Sequence, residues 1–299
     1  LAIMPENEAG ENCDAVELRV EIESDLQDKT EVYTVENVPA MRIGYAASDD
    51  WFLRKTPGLY PDFLVKRGNG KIAASVGYWK SIWININENL EKVQSGKHNI
   101  KLKIYEYEKN VVVVEKNIEI EILKSELPKQ SIITTNWLHY DCMAVFSKTE
   151  IFSEEFFKVA ENYIKLAAKN GQNMVLLPAF TPPLDTPVGE ERMTTQLVRV
   201  TKADGKYKFD FSLMEKFIEL CFKNGIEYLE HSHLFTQWGA KHAPKIVVSE
   251  NGTDKKMFGW HTDAASDEYK EFLHEYLTAL KNFLKEKGYE KKIFFHVSD

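Results

Sequence analysis

Carboxylates, imidazoles and indoles gather at four places along the 299-residue chain. The first holds Trp137, His139, Tyr140 and Asp141; the second is TPPLDTPVGEER, with Asp185, Glu190, Glu191 and Arg192. The third begins with EHSH at 230–233 and continues through TQWGAKH, with Trp238 and His242, to FGWHTD, with Trp260; the fourth is the terminal Asp299. Carboxylates and imidazoles move protons or bind hydroxyl groups, while indole faces stack on the apolar faces of sugar rings. Such a set is the equipment of a carbohydrate site. His139, Asp141, His231, His233, Trp238, His242 and Trp260 are the candidate substrate contacts.

Structural roles compete with these. Trp137, Trp238 and Trp260 can wedge long loops against a core, since tryptophan is highly buried on average. Asp185 sits among prolines, where turn capping is as natural as function, and Glu190-Glu191-Arg192 reads as a solvated loop. Cys142 and Cys221 read as core thiols, Cys221 because it falls on the apolar stripe of a helix. His231 and His233 stand two apart on a predicted strand and so point the same way, as metal-ligand pairs do in some barrel hydrolases. A metal-dependent hydrolase is therefore an alternative, with His139, His242 or Asp299 completing the shell. No third ligand stands at a diagnostic spacing, so sugar binding or buried hydrogen-bonded histidines are preferred, and neither metal nor cofactor is assigned.

The elements that must position these residues fall into two rhythms. Residues 1–130 alternate apolar and charged side chains, as in AVELRVEIES, HNIKLKIYEYE and NIEIEIL, with turn formers between them; this is the pattern of half-buried antiparallel strands. Several such runs without an intervening helix predict an all-β sandwich. Trp79 and Trp83 of YWKSIW give this domain a possible glycan contact of its own, although Tyr78 and Trp79 are adjacent and cannot share a strand face.

Residues 131–299 alternate strand and helix. SIITTNWLHY, NMVLLPAF, IEYLEHSHLF and IFFHVSD read as strands. Between them lie a helix from Ser153 to Gly171, a second that a Ser212–Glu215 capping box opens and Gly225 closes, and a third over 267–287. Repeated βα units mean a parallel sheet, and the absence of GxGxxG disfavours a nucleotide fold. Tight helix-to-strand turns and long strand-to-helix segments (181–211, with a hairpin at Asp204-Gly205, and 236–266) favour a (β/α)8 TIM-type barrel, whose sites lie on the strand C-terminal rim. A barrel takes about 250 residues, whereas 131–299 holds 169. The expectation is α/β plus all-β: an N-terminal β-sandwich followed by the first half of a barrel, truncated at its fourth strand and leaving an open edge.

Composition excludes other classes. No apolar run approaches the roughly 18 residues of a membrane span, and a net charge of −8 without a basic cluster disfavours nucleic acid. Three dispersed cysteines, Cys13, Cys142 and Cys221, argue against a disulfide framework and fit a reducing, cytoplasmic compartment; the sequence starts at Leu1 without an initiator Met, so a signal peptide lost with a missing N-terminus leaves secretion open.

The blocks TNWLHYDC, LLPAFTPPLDTPVGEERMTTQLV, HLFTQWGAKHAPKI, FGWHTDA and FFHVSD, in that order, resemble the catalytic domain of glycoside hydrolase family 123 and its relatives in domain-of-unknown-function family 4091. PGLYPDFL at 57–64 is similar to the sandwich that precedes the barrel in that family. The resemblance implies a retaining β-N-acetylgalactosaminidase using substrate-assisted catalysis, an exception to the two-carboxylate scheme. In it the substrate's 2-acetamido oxygen attacks the anomeric carbon, an Asp orients that group, and the Glu that follows protonates the leaving oxygen. Asp299 matches the Asp, and the Glu would be the next residue. The resemblance thus implies a fragment cut inside its catalytic motif, inactive alone, from an enzyme acting on glycans with a terminal 2-acetamido sugar. A carbohydrate-binding protein without catalysis is the remaining alternative.

Overall fold

The computed structural model describes residues 1–6, 14–41, 54–87, 91–126, 128–184, 186–237 and 239–296. Contacts divide the chain into two compact units, Leu1–Pro128 and Lys129–Asp299.

In the first unit the alternating runs become strands β1 (Ala2–Ile3), β2 (Ala15–Glu23), β3 (Thr30–Ala40), β4 (Gly58–Lys66), β5 (Lys71–Ser75), β6 (Lys80–Ile86), β7 (Gly96–Glu106) and β8 (Val111–Ile122). They pair antiparallel in two four-stranded sheets, ordered β1-β6-β3-β4 and β5-β2-β7-β8. Leu18, Val20, Ile72, Ala74, Leu102 and Ile104 of one sheet and Ile82 of the other form one core. Gly70 must be glycine: its φ is +67°, and a Cβ there would lie 2.4 Å from the carbonyl oxygen of Val20. Two polar clusters interrupt the apolar pattern. Glu36 accepts from Thr34 Oγ1 (2.6 Å), Arg67 Nη2 (2.8 Å) and Lys80. His98 is buried with Nδ1 2.7 Å from Asp25 Oδ2 and Nε2 2.8 Å from the Gln94 carbonyl.

The second unit contains, in chain order, β9 (Thr135–Asn136), α1 (Tyr140–Ser147), α2 (Glu154–Lys169), β10 (Met174–Leu177), β11 (Arg199–Ala203), β12 (Lys206–Asp210), α3 (Ser212–Lys223), β13 (Tyr228–His231), β14 (Ile246–Glu250), β15 (Thr253–Phe258), α4 (Asp267–Lys287) and β16 (Ile293–Phe295). Strands β9, β10, β13 and β16 form a parallel sheet in sequence order, helices intervening between successive strands. The helices start and stop where side-chain chemistry dictates. Ser153 accepts from Phe156 N (3.2 Å) and Ser266 from Tyr269 N (3.4 Å), acids fill both first turns, and Gly288 closes α4 in the left-handed region. Their apolar stripes bury Phe156, Ala160 and Ile164 of α2, Phe217, Ile218 and Cys221 of α3, and Tyr269, Phe272, Tyr276 and Leu280 of α4 in one core with Val175, Leu177, Leu229 and Ile293 of the sheet. Each fully buried large side chain is worth about 1.5–3 kcal/mol. Among the described residues no helix is long and apolar enough to cross a membrane.

Three sequence expectations need correction, and a fourth feature goes beyond them. SIITTNWLHY forms only two residues of strand, because the chain turns at Trp137–His139 and enters α1 instead. The Ser212–Glu215 capping box is not made: Phe211 is the N-cap, and the Ser212 amide and hydroxyl both donate to Asp210 Oδ1 (2.9 and 2.6 Å). Cys142 is exposed on α1, while Cys221 is buried as expected; Cys13 lies outside the described residues. The 236–266 segment carries a second hairpin, β14–β15. Its strand β14 pairs parallel with β11, so the two long segments merge into one four-stranded sheet ordered β12-β11-β14-β15.

Candidate active site

The parallel sheet has two chemically different faces, set by the period of two along each strand. Successive rows across it are Val175–Leu229–Ile293, then Leu176–Glu230–Phe294, then Leu177–His231–Phe295. The first row, with Leu177, faces the helices and joins their core. The middle row faces the other way, and Trp137, next after Asn136 of β9, and His296, next after β16, carry it on toward the strand C-terminal ends.

On that face Glu230, 5% exposed, accepts from Trp137 Nε1 (3.0 Å) through Oε2 and meets His296 Nδ1 (3.0 Å) through Oε1. An imidazole nitrogen facing a carboxylate carries the proton, so His296 is held with its hydrogen on Nδ1. The fully buried His233 packs edge-on to Trp137, with centroids 5.3 Å apart, and lies 4.2 Å from the His296 ring. Three rings and one carboxylate therefore meet where β9, β13 and β16 end.

His231 belongs to the other face. Its ring stacks on Phe295 (4.9 Å between centroids), Nδ1 lies 2.6 Å from the Ser232 carbonyl, and Nε2 lies 2.6 Å from the Tyr276 hydroxyl of α4. Of the two neutral tautomers only Nδ1–H satisfies both, donating to the carbonyl and accepting from the phenol. Burial keeps it neutral, lowering its pKa to about 4, and burial likewise holds the Tyr276 phenol well above its ordinary range. The expectation that His231 and His233 point together therefore fails. The strand ends at His231, Ser232 N bonds back to Leu177 O (2.9 Å), and the turn sends His233 to the opposite face. The two imidazoles do not converge on a shared metal, and no group of three or more metal-ligating side chains forms among the described residues.

Asp141 on α1 is gripped by Arg192, Nε to Oδ2 at 2.8 Å and Nη2 to Oδ1 at 2.9 Å. Burial alone would raise its pKa, but the guanidinium outweighs this and holds the carboxyl below its ordinary range. Arg192 also donates to Leu184 O (2.8 Å), tying the loop after β10 to α1. His139 is the half-buried N-cap residue of the same helix.

A small cleft opens between the loops after β10 and β13, lined among others by Pro182, Pro183, Arg192, Thr236, Lys245 and Trp260. Trp260 is anchored by its indole N–H to Glu190 O (2.9 Å) and packs against the His242 ring, centroids 5.7 Å apart. His242 Nδ1 is buried without a hydrogen-bond partner among the described residues. Glu190-Glu191-Arg192 is not a free loop: Glu191 pairs with Lys245 (3.2 Å) and Lys256, across from the other loop. Asp299, Trp238 and Asp185 lie outside the described residues. Of the candidates, His233 lies at the sheet end, His242 and Trp260 at the cleft, Asp141 and His139 on α1, and His231 in the core. Sequence reasoning passed over Glu230, although a carboxylate flanked by Leu229 and His231 in an otherwise buried strand was the signal.

The model of the glycoside hydrolase 123 catalytic domain matches residues 137–299, more than half of the chain. The chain belongs to glycoside hydrolase family 123. Its fold is similar to that of a family 123 glycoside hydrolase from Clostridium perfringens, analysed for the details of glycolipid glycan hydrolysis, with a TM-score of 0.72 at 16% identity. The alignment covers 95% of this chain and 50% of that one, so this member spans about half the length of the solved relative. No curated protein matches the chain. The match starts at Trp137, the first ring of the Glu230 cluster, and takes in every side chain of both the sheet-end group and the cleft.

Proposed function

We propose that this family 123 chain supplies, in a retaining glycosidase, a β-sandwich of residues 1–130 followed in sequence by the first half of a (β/α)8 barrel, residues 131–299. The enzyme removes β-linked N-acetylgalactosamine, or a related 2-acetamido hexose, from a glycan, the glycan of a glycolipid among the candidates. The observation that carries the reading is the family match over 137–299, joined to a cluster of rings around a buried carboxylate at the strand ends. Four parallel strands in sequence order, with helices on one face, are what half a barrel requires.

In this reading Asp299 orients the substrate's acetamido group, whose oxygen attacks the anomeric carbon, and a Glu following it donates the proton to the leaving oxygen. General acid catalysis of this kind contributes about 10²–10⁴-fold. Trp137, His233 and His296 form the wall beside that centre, Trp260 and His242 offer an outer surface to the glycan, and Trp238 is a further glycan contact in this reading. Asp141 and His231 act from behind, Asp141 through Arg192 and His231 through Tyr276. A net charge of −8 suits a neutral sugar better than a polyanion such as nucleic acid.

The test is hydrolysis of an aryl 2-acetamido-2-deoxy-β-galactoside by the complete gene product, with the gluco epimer as control. Cleavage of the galacto substrate, abolished by Asp299→Ala, is the expected result. Cleavage untouched by Asp299→Ala would remove the residue from the mechanism, and cleavage of neither epimer would remove the substrate.

A further inference from the structure

We infer that Glu230 is a positioning residue: its carboxylate clamps Trp137 and His296, which follow strands on either flank of β13, into one wall of the glycan site. The inference builds on the glycosidase reading above and adds to it the part that sets the wall's geometry.

The position does not need a carboxylate for packing. Its neighbour in the same row, Leu176, is fully buried and apolar, so a leucine at 230 would suit the sheet. A carboxylate nearly removed from water is costly unless it is hydrogen-bonded, and Glu230 meets that cost with two side chains that are far apart in the chain. Trp137 lies beyond β9, two strands away across β10, and His296 follows the adjacent β16. One rigid group thus fixes the separation between the first and last strands of the sheet at their C-terminal ends. Each oxygen takes a different donor, so neither ring can rotate without leaving one buried oxygen short of a partner. His233 packs against both rings, which also meet each other with centroids 5.6 Å apart, so a shift of either moves all three. His296 is also the last described residue before the catalytic candidate, with two residues between them.

Glutamine at 230 keeps the volume but has one acceptor oxygen, and its amide nitrogen cannot accept from either ring. Leucine accepts from neither. The experiment uses the complete gene product and its Glu230→Gln and Glu230→Leu variants, with thermal melting to confirm that each is folded. Two readouts are taken. The first is the ¹⁵N–¹H resonance of the Trp137 indole, assigned by its disappearance in Trp137→Phe, which must shift in both Glu230 variants. The second is kcat and KM on the aryl galactoside. A 1 Å misplacement near reacting groups costs up to about 10²-fold, so kcat falls by roughly that factor in Glu230→Leu and by less in Glu230→Gln, with KM changed much less. An unmoved indole resonance, or activity within a few-fold of wild type in folded Glu230→Leu, overturns the inference. If the wild type cleaves no 2-acetamido hexoside, the proposed substrate fails while the indole resonance still decides the clamp.

Discussion

The same four short strands present two faces, and the faces follow different rules. On the helix side Val175, Leu177, Leu229 and Ile293 are sealed beneath α2, α3 and α4, and a fully buried polar side chain, His231, is held neutral with both nitrogens satisfied. On the other side a charged group is buried to a similar depth, yet its partners are half-buried rings at the sheet end. Polar groups on the first face serve stability, because any loss there is paid within a closed core. Those on the second face serve geometry, because solvent can replace much of what they lose.

Substitutions on adjacent residues should break or sharpen that contrast. Leu229→Ala empties the sealed face and should cost about 2–5 kcal/mol, read as a drop in denaturation midpoint with the slope unchanged. Glu230→Leu, one residue away, should change stability by less than about 1 kcal/mol, since water can reach the freed Trp137 and His296 donors. Equal destabilisation by the two would mean that the faces do not differ.

Acid probes the sealed face next. The folded-state pKa of His231 is about 4, below its ordinary 6.5. Between those values the unfolded chain takes a proton that the folded chain refuses, so this contribution is complete above about 6.5 and is lost as pH falls toward 4. The loss is on the order of 3 kcal/mol. A His231→Gln variant should show a shallower decline across that window in chemical denaturation, and an identical decline would assign the acid sensitivity elsewhere.

Asp141→Asn should have a smaller effect, about 1–3 kcal/mol, by weakening the grip on Arg192 and freeing the loop after β10 from α1. Hydrogen exchange should rise in residues 186–198 and not in β10; no rise would show that Leu184 O and Lys245 hold the loop without help. The smallest effect concerns His98 in the first unit, where a buried histidine behaves in the opposite sense. Hydrogen bonding to the Gln94 carbonyl and then Asp25 raises its pKa, against burial. Its contribution is therefore present below the ordinary 6.5 and disappears as pH rises through the elevated folded value. Wild type and His98→Leu should differ below that window and converge above it, as followed by thermal melting.

Much of this architecture was legible because the physics was local. A serine cap, an acidic first turn and an apolar stripe placed α2 nearly to the residue, an apolar stripe alone did so for α4, and strict alternation located β2 and β7. Asp204-Gly205 betrayed its hairpin through two residues that tolerate positive φ, 52° and 76°. Asn251-Gly252, with φ of 52° and 75°, sends the same signal for β14–β15 and was readable in the same way. Other features depend on contacts distant in sequence. Nothing within TNWLHYDC says that the strand yields to a helix at Tyr140, whose hydroxyl is captured by Leu176 O at 2.8 Å. Nor does EHSH reveal that its glutamate serves the sheet end while its first histidine turns to α4. The site was thus visible as a collection of residue types, but the partition of those residues between wall, cleft and core was written in the sheet register.

The pairing of β11 with β14 has a further consequence, for inheritance. Two loops that would ordinarily diversify one at a time share backbone hydrogen bonds, reinforced by Gln196, which donates to Val247 O (2.8 Å) and accepts from Val247 N (2.9 Å). An insertion or exchange in either loop exposes a strand edge on the other, so the two must be transplanted as a single cassette.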